Sequence, residues 1–466
     1  MEFIAPIDAV FLIAESREQP MHVGSLQIFE TPEDAGPDFV RNVYRKLLAD
    51  KAVTPTFRKH PASFFGAPQL AWTRAQDVEL EYHVRHLAVP APGGRDQLVE
   101  LANRLHTSLL DRHRPLWEIS LISGLADGHF AVYAKMHHGL IDGVSAQRLI
   151  ARTLTSDPRP EDIRAPWNLP RRQRVSEPIS SKPVSSKPVT SNGGVRAAAG
   201  SLKSTVASGP KLLRAARTAL ASQQRALPFD APRTMFNVPI GGARRSAVRS
   251  WSMERVKQVK KAAGCTLNDV VLAMSAGALR EYLAERDALP DKPLIAMVPM
   301  SLRAGDDADD APDGVKVGAA LCNLGTDIAD PLQRLTAVSE SMRRSKEVYG
   351  ALNSTQTMAL SALMLSPLAV TLMPGLIPLT KPAFNIVISN VPGPREPMYW
   401  SGARLEASYP MSIPFDGQAV NITLTSNGSN LDFGVVGCRR SVPELPRILD
   451  HLDHALGELE HAADRL

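Results

Sequence analysis

The sequence predicts an α/β (α+β) protein of two large domains, residues 1–166 and 230–466, joined by a basic linker, 167–229. Three observations lead there. The chain has 466 residues, enough for two or three hydrophobic cores at about 150 residues each. Each half mixes short apolar runs with segments of helical period, as strands and helices of one domain do. Between the halves the composition changes: from Asn168 to Pro228 there are eleven basic residues and one acid, Glu177. Because the net charge is only +5, the two halves together are mildly acidic. Hydrophobic residues at 44% and charged residues at 22% exclude a mostly disordered chain, a collagen-like fibre and a multi-span membrane protein. Three widely spaced cysteines, Cys265, Cys322 and Cys438, exclude a disulfide scaffold and fit a reducing compartment. The acidic start, Met1 to Asp8, lacks the basic and apolar regions of a secretory signal.

In the first half, 117–122 reads as a strand and 124–128 as a turn. Phe130, Val132 and Ala134 then alternate with Ala131, Tyr133 and Lys135 in a second strand. After Gly143 the period becomes helical, with Ala146, Leu149, Ile150 and Leu154 on one face. The linker contains the repeat Ser180-Ser181-Lys182-Pro183-Val184 and Ser185-Ser186-Lys187-Pro188-Val189, a composition expected to stay extended and disordered. From 202 to 227 it turns helical and basic, with Leu212, Leu213, Ala216 and Leu220 among Lys211, Arg214, Arg217 and Arg225. Without aromatic interleaving or a reading motif, nucleic acid is not expected as its partner. An anionic membrane surface fits better, and a simple tether fits as well.

In the second half, Thr266-Leu267-Asn268-Asp269 has the form of a helix start, and the helix should run to about Leu283. Segments 294–298 and 384–389 read as buried strands, each ended by proline. Ser441-Val442-Pro443-Glu444 reads as the cap of an amphipathic helix carrying Leu445, Ile448, Leu449, Leu452, Leu456 and Leu459. The 33 residues of 348–380 carry no charge. Polar residues from Asn353 to Gln356 and the prolines Pro367, Pro374 and Pro378 argue against a membrane span. Buried helices, or an apolar surface that meets lipid or lines an acyl-chain pocket, are expected instead.

The sharpest feature is His137-His138-Gly139-Leu140-Ile141-Asp142-Gly143, where a strand ends and a helix begins. A glycine-rich bend can aim a histidine into a cleft, and an imidazole with a pKa near 6.5 can accept a proton at neutral pH. Successive strand residues point to opposite faces, so one histidine should face substrate and the other should pack inward. Asp142 should tie the turn down through a cation. On local sequence alone, a purely structural histidine pair is the alternative. A metal site is disfavoured, since no second cluster of ligands accompanies the motif and HExxH is absent. A serine hydrolase is disfavoured too: the nearest match to GxSxG, Ala273-Met274-Ser275-Ala276-Gly277, falls in mid-helix.

The seven residues resemble the HHxxxDG motif of the CoA-dependent acyltransferase superfamily. Further segments narrow the resemblance to bacterial wax ester synthase/diacylglycerol acyltransferases. They are Pro6-Ile7-Asp8-Ala9-Val10-Phe11, Pro20-Met21-His22-Val23-Gly24 and Arg114-Pro115-Leu116-Trp117-Glu118 in the first half. In the second half they are Asn268-Asp269-Val270-Val271-Leu272-Ala273, Val298-Pro299-Met300-Ser301-Leu302-Arg303 and Ser389-Asn390-Val391-Pro392-Gly393-Pro394. The resemblance implies two chloramphenicol-acetyltransferase-like domains with an active-site tunnel between them. It implies His138 as general base, with His137, Asp142 and Gly143 structural and Arg303 as the cation holding Asp142. Asn268, in the first turn of its helix, is a candidate oxyanion stabiliser. Implied partners are long-chain acyl-CoA as substrate, and diacylglycerol or a long-chain alcohol as acceptor, with no cofactor and no metal. The expected location is cytoplasmic, touching a membrane or lipid inclusion peripherally. Transfer to another hydroxyl or an amine, or a silent lipid-binding homologue, are the alternatives. Arg343, Arg344 and Lys346 are candidates for the CoA phosphates, although a solvated helix face explains them equally well.

Overall fold

The computed structural model describes residues 2–62, 71–159, 163–169, 231–301, 317–351 and 381–466. Most of the linker, 170–230, the uncharged residues 352–380 and Arg303 therefore lie outside the described residues, as do the helix expected at 202–227 and the Ser/Lys/Pro repeat.

The first half supplies β1 (Glu2–Phe3), α1 (Pro6–Ala14), β2 (His22–Glu30), α2 (Phe39–Ala49), β3 (Lys59–Pro61), β4 (Ala71–Arg74), α3 (Leu80–His83), β5 (Val84–Ala88), α4 (Arg95–Thr107), β6 (Trp117–Ser123), β7 (His129–His137) and α5 (Gly143–Ala151). The second half follows the linker. It supplies β8 (Arg244–Ser252), α6 (Met253–Ala262), α7 (Leu267–Ala284), β9 (Ile295–Ser301), β10 (Val317–Asn323), α8 (Pro331–Ala351), β11 (Ile386–Val391), β12 (Tyr399–Trp400), β13 (Ala403–Met411), β14 (Val420–Asn427), β15 (Asn430–Cys438) and α9 (Arg447–Ala463).

Two six-stranded sheets carry the fold, in the orders β12-β13-β2-β7-β6-β5 and β10-β9-β11-β14-β15-β8. Apolar alternation on β2 and β7 packs one face of the first sheet under α2 and α5, around Phe29, Trp117, Phe130 and Met136. The second core wraps α7, which is buried on nearly every side, as a helix apolar all round must be. Its Thr266–Asp269 capping box and its span to Ala284 agree with the sequence pattern.

The sheets do not follow the two halves of the chain. β13 leaves the second half and pairs antiparallel with β2 of the first. The seam there is tight: a Cβ on Gly434 of β15 would come within 1.8 Å of the Pro410 carbonyl oxygen on β13. Asp432 accepts hydrogen bonds from Ser408 N (2.7 Å), Ser250 Oγ (2.6 Å) and Asn427 Nδ2 (3.1 Å), which stitches β13 to the second sheet. The open edge of the second sheet, β8, is covered by α4 of the first half. Asn103 Oδ1 accepts from Ser246 N (2.8 Å) and Thr107 Oγ1 from Arg244 N (3.3 Å), so the unpaired edge donors are used.

Two boundaries depart from expectation. β9 runs through Pro299 to Ser301 instead of stopping there. Its pairing with β11 covers only Ala296 and Met297, and Ala319, opposite Pro299, turns its own N–H and carbonyl to the Tyr349 hydroxyl. Among the described residues no partner on either side needs the N–H that proline lacks. The C-terminal helix starts at Arg447, not near Ser441. Glu444 adopts φ 49°, a left-handed conformation that no helix continues, and Ser441 Oγ turns to Cys438 Sγ instead of capping. All six predicted apolar positions from Leu445 to Leu459 are nonetheless buried.

Candidate active site

Strand β7 ends at His137, directly opposite His22 on β2. The His137 carbonyl accepts from the N–H groups of both Leu140 (2.9 Å) and Ile141 (3.2 Å), which closes a tight turn. Asp142 then caps α5: its Oδ1 accepts from Ser145 N (2.9 Å) and its Oδ2 from Ser145 Oγ (2.6 Å). Helix α1 lies against the turn. A Cβ on Gly139 would sit 2.9 Å from the Asp8 carbonyl oxygen, 3.2 Å from His137 Nδ1 and 3.3 Å from Leu12 Cγ. At Gly143 the nearest atom, Val23 Cγ1, is an ordinary 3.8 Å away. The steric demand for glycine therefore falls on Gly139 rather than Gly143.

The two imidazoles point apart. His137 is fully buried, on the sheet face it shares with His22, Tyr133 and Lys135. Its Nδ1 accepts from Gly139 N (3.0 Å), so the ring proton sits on Nε2, 3.3 Å from Glu15 Oε1. Glu15 is the hub of this side. Its Oε1 also accepts from Met21 N (3.1 Å), and its Oε2 accepts from Arg112 Nε (3.0 Å) and lies 2.9 Å from the guanidinium's terminal nitrogen. Burial pushes the Glu15 carboxyl up, but the facing His137 Nε2–H, the Arg112 charge and the Met21 N–H together hold it below its ordinary value. Glu15 and Arg112 were not legible in the sequence, because 97 residues separate them.

His138 hangs its backbone N–H on the Met21 carbonyl (2.8 Å) and stacks its ring on Phe11, with centroids 3.9 Å apart and planes at 23°. Among the described residues Nδ1 is buried without a hydrogen-bond partner, and none is seen for Nε2. Desolvation is the chief cause that lowers its pKa; the nearby Asp142 charge opposes it and His137 adds to it. The result is an imidazole held toward its neutral form at pH 7. This is the state a general base requires.

Behind the turn lies a row of buried polar groups. His22 Nε2 bonds the His106 carbonyl (2.6 Å) and His106 Nδ1 bonds the Tyr133 hydroxyl (2.8 Å). Lys135 Nζ donates to the carbonyls of Leu105 (3.0 Å) and Ser108 (2.9 Å), closing the C-terminus of α4.

Asn268 stands, half-buried, in the first turn of α7. Among the described residues no hydrogen bond or ring contact joins it to His137 or His138. Ser275 is buried in mid-helix with its hydroxyl on the Val271 carbonyl (2.8 Å), far from any nucleophile elbow. Arg343 pairs with Glu347 (2.7 Å) and Arg344 with Glu340 (2.9 Å) at i,i+4 on the exposed face of α8, alongside exposed Lys346. Those ion pairs fit the solvated-face reading of the three cations.

Sequence comparison matches residues 4–271 to the wax ester synthase/diacylglycerol acyltransferase catalytic domain and residues 314–460 to the C-terminal domain of that family. The Mycobacterium tuberculosis protein named "Probable diacyglycerol O-acyltransferase tgs2" is 53% identical over 99% of both chains. A second protein of that organism bearing a diacylglycerol O-acyltransferase name is 42% identical over 97% of this chain and 90% of its own. The wax ester synthase/diacylglycerol acyltransferase from Marinobacter aquaeolei VT8 superposes with a TM-score of 0.78, at 38% identity and 100% coverage of both chains. The first condensation domain of the CDA synthetase shares the fold alone, at a TM-score of 0.57 and 15% identity over 99% of this chain and 96% of its own. The histidine turn, the paired sheets and these matches along nearly the whole chain agree: the protein belongs to the wax ester synthase/diacylglycerol acyltransferase family.

Proposed function

We propose that this enzyme transfers an acyl group from acyl-CoA to the hydroxyl of diacylglycerol, forming triacylglycerol, and to long-chain alcohols, forming wax esters. One observation carries the reading: a His138 held toward its neutral form by burial, at the HHxxxDG turn of a chain whose relatives match it from end to end. His138 Nε2 takes the acceptor's hydroxyl proton while the oxygen attacks the thioester carbonyl. The tetrahedral intermediate collapses by breaking the C–S bond, and the same proton passes from His138 to the departing CoA sulfur. Direct attack needs no acyl-enzyme and no cofactor beyond the substrate itself. Asn268 is assigned to the oxyanion on its first-turn position alone, where unpaired helix N–H groups favour negative charge. Arg303 keeps its assignment as the partner of Asp142 on the resemblance alone.

The acceptor's chemistry suggests work at a lipid surface. Among the described residues no single helix is long and apolar enough to cross a membrane. The basic segment 168–228 is the peripheral contact proposed for a cytoplasmic enzyme, at about 1 kcal/mol per basic residue near anionic headgroups. Removing the charges of Lys211, Arg214 and Arg217 should then weaken co-sedimentation with anionic vesicles roughly a hundredfold.

The deciding experiment is thiol release from palmitoyl-CoA with dioleoylglycerol. A positioned base is worth about 10²–10⁴ in rate, so His138→Ala should lose that much kcat while remaining folded. Wild-type protein that releases no thiol with either a diacylglycerol or a long-chain alcohol would overturn the reading.

A further inference from the structure

We propose that Glu281, His454 and Glu458 form a binding site for one divalent transition-metal ion, with zinc the best fit, clamping α7 to α9. One ligand atom from each of the three lies within 4.8 Å of the others. His454 and Glu458 are four residues apart on α9, so they project from one face one turn apart. Glu281 meets them from α7, with His454 Nδ1 only 2.6 Å from its Oε1. Donors bound to zinc at about 2.0–2.1 Å in a tetrahedron stand about 3.3 Å apart, so small side-chain rotations admit the ion.

The surroundings preorganise these groups. The two helices touch almost backbone to backbone one turn away, where a Cβ on Gly277 would come within 2.7 Å of the Ala455 Cβ. His451 Nδ1 holds the other oxygen of Glu281 at 2.9 Å, so the ion would take the place of the proton that now bridges Oε1 and His454 Nδ1. Arg334 NH2, from the largely buried guanidinium, lies 3.5 Å from Glu458 Oε2. Two carboxylates against one guanidinium leave a net negative site, suited to a dication. The exposed side of His454 leaves room for a water ligand. One imidazole with two carboxylates is a donor set that suits zinc and its neighbours better than calcium or magnesium. Glu281 lies about 20 Å along α7 from Asn268, so the ion's part is to brace the helix pair and not to take part in acyl transfer.

The test is calorimetric titration of the full chain, freed of metal by chelation, with Zn²⁺. Wild type should bind one ion per chain, and Zn²⁺ should raise its Tm by several degrees. His454→Ala and Glu458→Gln should each weaken binding at least tenfold and abolish the Tm rise, with thiol-release activity unchanged in both. His454 is exposed, so its truncation leaves the fold intact. Absence of stoichiometric binding by wild type, or equal binding by wild type and both variants, would overturn the site and leave a network of ion pairs.

Discussion

Replacing Glu15 by glutamine isolates the charge at the centre of the histidine turn. The carboxylate takes the Met21 N–H on one oxygen and Arg112 on the other, and it faces His137 Nε2 at 3.3 Å. Glutamine keeps one acceptor oxygen and sets an NH₂ group against either the guanidinium or the imidazole N–H. Breaking a buried ion pair by removing one partner costs about 3–5 kcal/mol. Arg112, 29% exposed, recovers part of its hydration, so the lower end applies: about 3 kcal/mol lost at pH 7. Function follows from the same contacts. His138 hangs on the Met21 carbonyl and Met21 hangs on Glu15, so the loosened base should lose roughly tenfold or more in kcat, in line with the cost of small misplacements. KM should change little. The Glu15 pKa is held below its ordinary 4.5, so its contribution is present above that value and is lost as pH falls through the lower folded value. Denaturant titrations of wild type and variant should therefore differ most near neutrality and converge in acid. A variant with unchanged stability and unchanged kcat at pH 7 would refute the role given to Glu15.

Three further outcomes are expected. Gly139→Ala should cost about 1–3 kcal/mol through overpacking against α1 and lower kcat with it; Gly143→Ala should leave thermal stability within about 1 kcal/mol of wild type, since ordinary contact distances surround it. Asp142→Asn keeps the helix cap but loses the proposed pair with Arg303, so it should cost about 3–5 kcal/mol by melting temperature; a loss of about 1 kcal/mol or less would leave Asp142 a cap alone and overturn the Arg303 assignment. His22, His106 (pulled down to about 3 by burial) and His138 are all held neutral in the fold. The unfolded chain therefore binds more protons below pH 6.5, and these three alone should lower stability on acidification by at most about 4 kcal/mol per pH unit. The acid limb of kcat/KM should likewise lie below 6.5, and a limb at or above that value would contradict a desolvated base.

What was legible in the sequence is what depends on neighbours along the chain. Hydrophobic alternation marked β6 and β7, the Thr266–Asp269 box marked the start of α7, and strand geometry required His137 and His138 to face apart. What was not legible is whatever a distant segment contributes. Nothing near Pro299 says that the strand beside it will need no proline N–H, and nothing near Ala403 says that β13 will leave its half to join β2. The same limit governs the site. The motif names the base, yet its placement comes from elsewhere: Phe11 of α1 gives it a face to stack on and Met21 ahead of β2 gives it a backbone anchor. Glu15 links the two, with Arg112 from the loop after α4 fixing its charge. Helix α1 can approach this closely only because residue 139 lacks a side chain. The glycine at 139, unlike the one at 143, therefore couples the local turn to the distant parts that orient it. It follows that substitutions along the face of α1 that meets the turn should lower kcat, by about tenfold where they misplace the base, although none of those residues exchanges a proton.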